Sequence, residues 1–238
     1  MLAAARSALG GEQKLAAVKT FTATGHTRQV RGDSLVPIEF EIQCELPDQY
    51  VRKDEIPAQE TGPTSTGFNQ DALIQHPAPS AAPTGRGDAP GAAPAQREAA
   101  LRARVRAVKQ DFARLTLGMF AASFSSLPLA FTYVGQAEAP QGTADVIDAK
   151  GSDNFDLRLF IDNETHLPIM VTWQLPATRG QAAPVEYRVY YADYRNVDGL
   201  RFPFRTRRAI AGETVEETVF DRFRINPKID PKKFEVSK

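Results

Sequence analysis

A chain of 238 residues with 29 basic and 29 acidic side chains carries no net charge at neutral pH, which excludes the basic footprint of a nucleic-acid binder. Apolar residues make up 42% of it, enough for a core of domain size, and no apolar run reaches the length of a membrane-spanning helix. The single cysteine, Cys44, rules out an intrachain disulfide and is read as a packed core thiol.

The opening MLAAARSALGG is too short, and too interrupted by Arg6, to read as an export signal. Residues 2–18 instead read as one or two short helices broken at Gly10-Gly11. KTFTATGHTRQV follows, a strand rich in β-branched residues, and Gly32-Asp33-Ser34 supplies a turn. The next run, LVPIEFEIQCELP, alternates most clearly. Val36, Ile38, Phe40, Ile42, Cys44 and Leu46 share one face, and Glu39, Glu41, Gln43 and Glu45 the other. One dry and one wet face is the pattern of an antiparallel sheet. Pro47-Asp48 then turns the chain into QYVRKDEI, another strand.

Composition shifts at residues 57–94, where Pro63, Pro77, Pro79, Pro83 and Pro90 stand among Ala, Gly, Ser and Thr. Such a segment buries too little apolar surface to offset its ordering entropy, so it reads as a flexible insertion. GFNQDALI (67–74) is an island within it that reads as one short strand. A helix is predicted over 95–119, with Leu101, Val105, Val108, Phe112, Leu115 and Met119 near helical spacing.

Beyond Leu127-Pro128 the chain reads as strands alone: LAFTYVG, TADVIDAK, FDLRLFID, LPIMVTWQL, VEYRVYYADYR, LRFPFRTRRAI and TVEETVFDRFRI. Turns at Asp153-Asn154, Asn163 to His166, Asn196 to Gly199 and Gly212 separate several of them. Sequential strands joined by short turns imply an antiparallel meander, and the absence of alternating helices argues against a doubly wound α/β fold. In the tyrosine-rich run, Tyr187 and Tyr191 share a face with Val185 and Val189, while Tyr190 and Tyr194 point the other way. Glu217 and Asp221 interrupt the face set by Val215, Val219 and Phe223, which reads as a bulge or strand end.

The expected fold class is mostly β (α+β). About ten strands form a curved antiparallel half-barrel around the 95–119 helix, with a short N-terminal helix, and residues 1–238 make a single domain. One helix covers only part of so wide a sheet, so the remaining concave surface either collapses into core or stays open as an apolar cavity. The cavity reading assigns ligand contacts to Ile38, Phe40, Ile42, Phe112, Leu115, Met119, Leu157, Leu159, Val171, Trp173, Tyr187 and Tyr191. Catalytic signatures are absent: the sequence has no GxSxG, P-loop, GxGxxG or HExxH, and His26, His76 and His166 are scattered. No catalytic residue, metal site or cofactor is assigned.

Five stretches, ALGGEQKLAAVKTFTATG, FEIQCELPDQYVRKDE, LRLFIDNETHLPIMVTW, DYRNVDGLRFPFRTRR and RINPKIDPKKFEV, occur in an order that resembles the LolA/LolB-like family of bacterial lipoprotein-sorting proteins. Each is largely hairpin punctuation, so their order carries the resemblance. It implies a half-barrel with a lid helix and a cavity that takes lipid or lipoprotein acyl chains. It also implies a periplasmic monomer with inner- or outer-membrane protein partners, and neither nucleic acid nor catalysis. Two alternatives stay open on the same scaffold: an enzyme acting on a hydrophobic substrate, and a protein-interaction or envelope-sensor module.

Overall fold

A computed structural model describes residues 1–57, 59, 62–77, 94–140, 142–176 and 183–236. Short helices α1 (Leu2–Ala8) and α2 (Glu12–Ala16) open the chain. Strands β1 (Thr20–Arg31), β2 (Ser34–Glu45), β3 (Gln49–Glu55), β4 (Thr64–Asn69) and β5 (Ala72–His76) precede a long helix, α3 (Pro94–Phe120). The second series is β6 (Ala130–Ala139), β7 (Gly142–Lys150), β8 (Asp156–Asp162), β9 (Pro168–Leu175), β10 (Val185–Val197), β11 (Leu200–Ile210) and β12 (Glu213–Ile225). A 3₁₀ turn at Pro231–Phe234 follows.

All twelve strands form one open antiparallel sheet, in the order β5-β4-β3-β2-β1-β12-β11-β10-β9-β8-β7-β6. Each series is a meander, and β1 pairing with β12 joins them, with Phe21 opposite Ile225. Helix α3 touches β4 and β5 on one flank and β9 and β11 on the other, so the sheet wraps around it. The helix is what the apolar faces meet. Phe112 packs against Tyr50, Phe68 and Phe124, with ring centroids 5.1, 5.4 and 6.2 Å away. Phe120 reaches Phe21 and Phe202 at 6.2 and 5.7 Å.

The N-terminal helices close the bottom of this core. Leu9 is fully buried, and its carbonyl accepts the Arg201 N–H at 2.8 Å. Gly10, at φ 127°, lets the two chains come that close: a Cβ there would meet the Gly199 oxygen at 2.5 Å. Arg6 donates to the Ala121 carbonyl just beyond the end of α3. Cys44 is buried among apolar side chains, and that burial pushes its thiol pKa well up.

The fold differs from the sequence reading at four places. GFNQDALI is not one strand but the centre of a hairpin, in which Gln70 at φ 53° makes the turn between β4 and β5. Among the described residues the sheet therefore has twelve strands rather than about ten; of the expected insertion, residues 58, 60, 61 and 78–93 lie outside them. Leu101, expected on the apolar stripe of α3, is 48% exposed. Tyr194 turns inward, because Asp193 at φ 55° reverses the side-chain alternation of β10. Its hydroxyl lies 2.8 Å from the carbonyls of both Gly118 and Pro168. On β12 the bulge is real, with Asp221 as the extra residue opposite Thr24 and Gly25. Its buried positions, however, are Thr218, Phe220 and Phe223, while Glu217 and Asp221 are exposed.

Candidate functional site

Three strands near the centre of the sheet carry inner faces that change character along their length. On β1 the face runs from Phe21 and Ala23 to Thr27 and Gln29, and on β11 from Phe202 and Phe204 to Thr206 and Arg208. On β12 it runs from Phe223 and Phe220 to Thr218 and Glu216. Antiparallel register brings the polar ends together. Thr27 and Thr206 both lie opposite Thr218, and Gln29 and Arg208 both lie opposite Glu216. The sheet thus presents an apolar zone, then a row of hydroxyls, then a row of charged groups. Buried Thr27 and Thr218 satisfy each other through a 2.8 Å hydroxyl pair.

Over this gradient, beside the middle of α3, lies a cavity of about 310 Å³. Ile38, Ile42, Leu115 and Phe220 are among its apolar lining, with Tyr191 at its side. Four arginines and three carboxylates also line it: Arg31, Arg52, Arg114 and Arg208 with Asp54, Asp111 and Glu216.

Half-buried Arg52 and buried Arg114 are held in two ways. Arg52 bonds Asp54 at 2.7 Å and Thr27 at 3.1 Å, and lies 4.5 Å over the Phe40 ring. Burial works against its charge, but Asp54 outweighs that and its pKa rises. Arg114 bonds Asp111 at 2.8 Å and lies 4.1 Å from the Trp173 ring centroid and 5.1 Å from that of Phe155. Burial is the main reason its pKa falls, and neighbouring Arg208 adds to the fall. Arg208 also donates to Asp111, at 3.1 Å, so two cations share one carboxylate. The Nε of Arg114 is buried without a hydrogen-bond partner. Cation–π contact with the two rings offsets part of the cost of burying such a cation.

The twelve residues assigned to a ligand site from sequence separate into two groups. Ile38, Ile42, Leu115 and Tyr191 line the cavity. Phe40, Phe112, Met119, Leu157, Leu159, Val171 and Trp173 are buried in the core around it, and Tyr187 stacks on Trp173 at 5.4 Å. The Tyr191 hydroxyl donates to the Arg114 carbonyl, fixing β10 to the helix. The sequence reading missed the charged lining. Its signal was present in Tyr50-x-Arg52-x-Asp54 and Thr206-x-Arg208, where inward positions of a strand turn charged.

A second, larger pocket of about 1220 Å³ lies on the outer face of β6 to β12. Phe160, Met170 and Tyr190 form part of it, among Arg188–Glu186 and other charged side chains. Among the described residues no cluster of three or more His, Cys, Asp or Glu forms a metal-ligand set. His26 lies 3.5 Å from Asp221, with both side chains largely exposed, and His166 sits in the β8–β9 turn.

An open antiparallel sheet wrapped on one long helix is a fold that recurs among solved structures. No protein-family model matches the chain, and no curated protein does. Solved structures do. The chain is similar to a LolA superfamily protein from Nitrosomonas europaea, at 13% identity over 97% of both chains, with TM-score 0.59. It is also similar to an outer membrane lipoprotein-sorting protein domain from Vibrio parahaemolyticus, at 11% identity over 93% of both chains, with TM-score 0.55. At such identities the likeness is one of fold.

Proposed function

We propose that the protein is a non-enzymatic binding and carrier protein for hydrophobic ligands, lipid or lipoprotein acyl chains, working in the bacterial periplasm. The observation that carries this reading is the cavity between α3 and the sheet, where Ile38, Ile42, Leu115, Val189 and Phe220 give an apolar wall beside the hydroxyl and charged rows. Transfer of a chain from water into it gains about 0.8 kcal/mol per buried methylene. A volume near 310 Å³ is at the small end of ligand sites, about 300–1,000 Å³. It suits a single chain, and a larger lipid requires the helix to move outward. The two solved structures named above are described as a LolA superfamily protein and a lipoprotein-sorting protein domain, which supports the same reading. Asp54 and Asp111 are each engaged by arginine, an arrangement suited to binding more than to proton transfer. The protein acts as a monomer that meets inner- or outer-membrane protein partners.

Mass spectrometry of an organic extract tests this, with protein purified from a bacterial periplasm without detergent. One amphiphile at near-equimolar amount is the expected result. Absence of any lipid, together with failure to take up added long-chain probes, would overturn the proposal.

A further inference from the structure

Resting on that reading, we infer that the ligand is an acidic amphiphile whose head displaces Asp111 from Arg114 and Arg208 while its chain lies against Ile42, Leu115 and Phe220 in the cavity. Three observations converge on this. The inner face is graded, from Phe40 and Phe220 through Thr27, Thr206 and Thr218 to the charged row. A molecule with one apolar and one charged end matches that gradient along a single axis. The charges are also unequally satisfied. Arg52 has its own carboxylate, whereas Arg114 and Arg208 divide Asp111 between them. Lastly, the Arg114 side chain is nine-tenths buried, lines the cavity and leaves Nε without a partner, whereas Asp111 is 57% exposed.

An oxyacid group offers two or more acceptor oxygens to two guanidinium groups, and such charge-assisted bonds are short and strong. Asp111 is the internal competitor for those donors. It sits on α3, so releasing it removes the ion pair that ties the middle of the helix to β11. Head-group recognition and movement of the helix are therefore one exchange of partners, and an acidic ligand binds best where Asp111 is absent. A carboxylate and a phosphate head share this chemistry.

The test uses Trp173, the sole tryptophan, as the reporter, since it stacks on Arg114. Its fluorescence is followed while the intact protein is titrated with dodecanoate, dodecyl phosphate and dodecanol. Either acid is expected to bind at least about tenfold more tightly than the alcohol, and the better acid identifies the head group. Arg208→Gln, at a position 34% exposed, is expected to cut the preference for acid over alcohol about tenfold. Asp111→Asn is expected to raise acid affinity by a similar factor, about tenfold. Equal affinity for acid and alcohol, or a preference unmoved in both variants, overturns the acidic head while leaving a carrier of neutral chains standing. Failure of all three probes to bind overturns the carrier reading along with it.

Discussion

The two halves of α3 are built for different tasks. From Phe112 to Phe120 every residue but half-buried Leu115 is buried, including Arg114, Thr116 and Gly118. A helix segment covered on all sides belongs to a core. Thr116 satisfies itself there by donating to the Phe112 and Ala113 carbonyls at 3.0 and 3.2 Å. Before Phe112, Val105 is the only buried residue among those described, and the segment is tied down by charge. Arg106 pairs with Asp153, Lys109 with Asp71 at 2.6 Å, and Arg208 with Asp111 at 3.1 Å. One half is held by apolar contact, which salt does not weaken, and the other by exposed ion pairs, which it does. The cavity lies where they meet.

The largest test of this contrast is a matched pair of truncations. Phe112→Ala removes a ring that packs against three others and is expected to cost about 3–5 kcal/mol in chemical denaturation. Leu101→Ala, in the exposed half, is expected to stay within about 0.5 kcal/mol. Comparable losses at both positions would show that the halves are equally anchored. A smaller effect is expected at Gly118, where a Cβ would lie 2.5 Å from two carbons of the Tyr191 ring. Despite the better helix propensity of alanine, Gly118→Ala should destabilise by about 1–3 kcal/mol through overpacking. Thermal melting read by circular dichroism measures it, and a gain in stability would mean that β10 yields easily at this contact.

Tyr194→Phe is a milder probe of the encased half. It leaves the Gly118 and Pro168 carbonyls without this donor, at an expected cost of about 1 kcal/mol. An unchanged denaturation midpoint would show that the hydroxyl adds nothing to the anchoring.

The same contrast explains what could be read from the sequence. Alternation in β2 and in the β8–β9 hairpin made the sheet legible, because a period of two has one structural meaning when apolar residues occupy every second place. The buried half of α3 was legible for a related reason, since Phe112, Leu115 and Met119 recur at helical spacing. Tyr194 was misread because one αL residue, Asp193, reverses the alternation, and aspartate marks such a position only weakly. The acidic and basic lining of the cavity was hidden more deeply. Arg208 and Glu216 look like wet-face residues until register sets them side by side at the polar end of the inner face, and Arg52 reaches that end only through its hydrogen bond to Thr27. Sequence alternation describes each strand alone, and the site is a property of neighbouring strands taken together.

The smallest expected energy belongs to the ion pairs of the exposed half, and it carries the sharpest signature. The Lys109 ammonium is mostly covered and lies 5.6 Å over the Phe68 ring, while Asp71 stands in solvent on the β4–β5 turn. The Lys109 hydrogen bond holds the Asp71 carboxyl below its ordinary pKa. A depressed folded value means that this contribution is present above the unfolded carboxylate range, near pH 4, and is lost as pH falls through the folded value. With Asp71 so exposed, screening keeps the pair below about 1 kcal/mol, and Lys109→Ala should cost no more than that. Amide hydrogen exchange should nonetheless separate the halves. Raising salt, or lowering pH below 4 after correction for intrinsic exchange rates, should quicken opening over residues 98–111 and leave 112–120 protected. Uniform protection along α3 under those conditions would mean that the helix moves as one body, and that release of the ion pairs does not open the cavity from its exposed end.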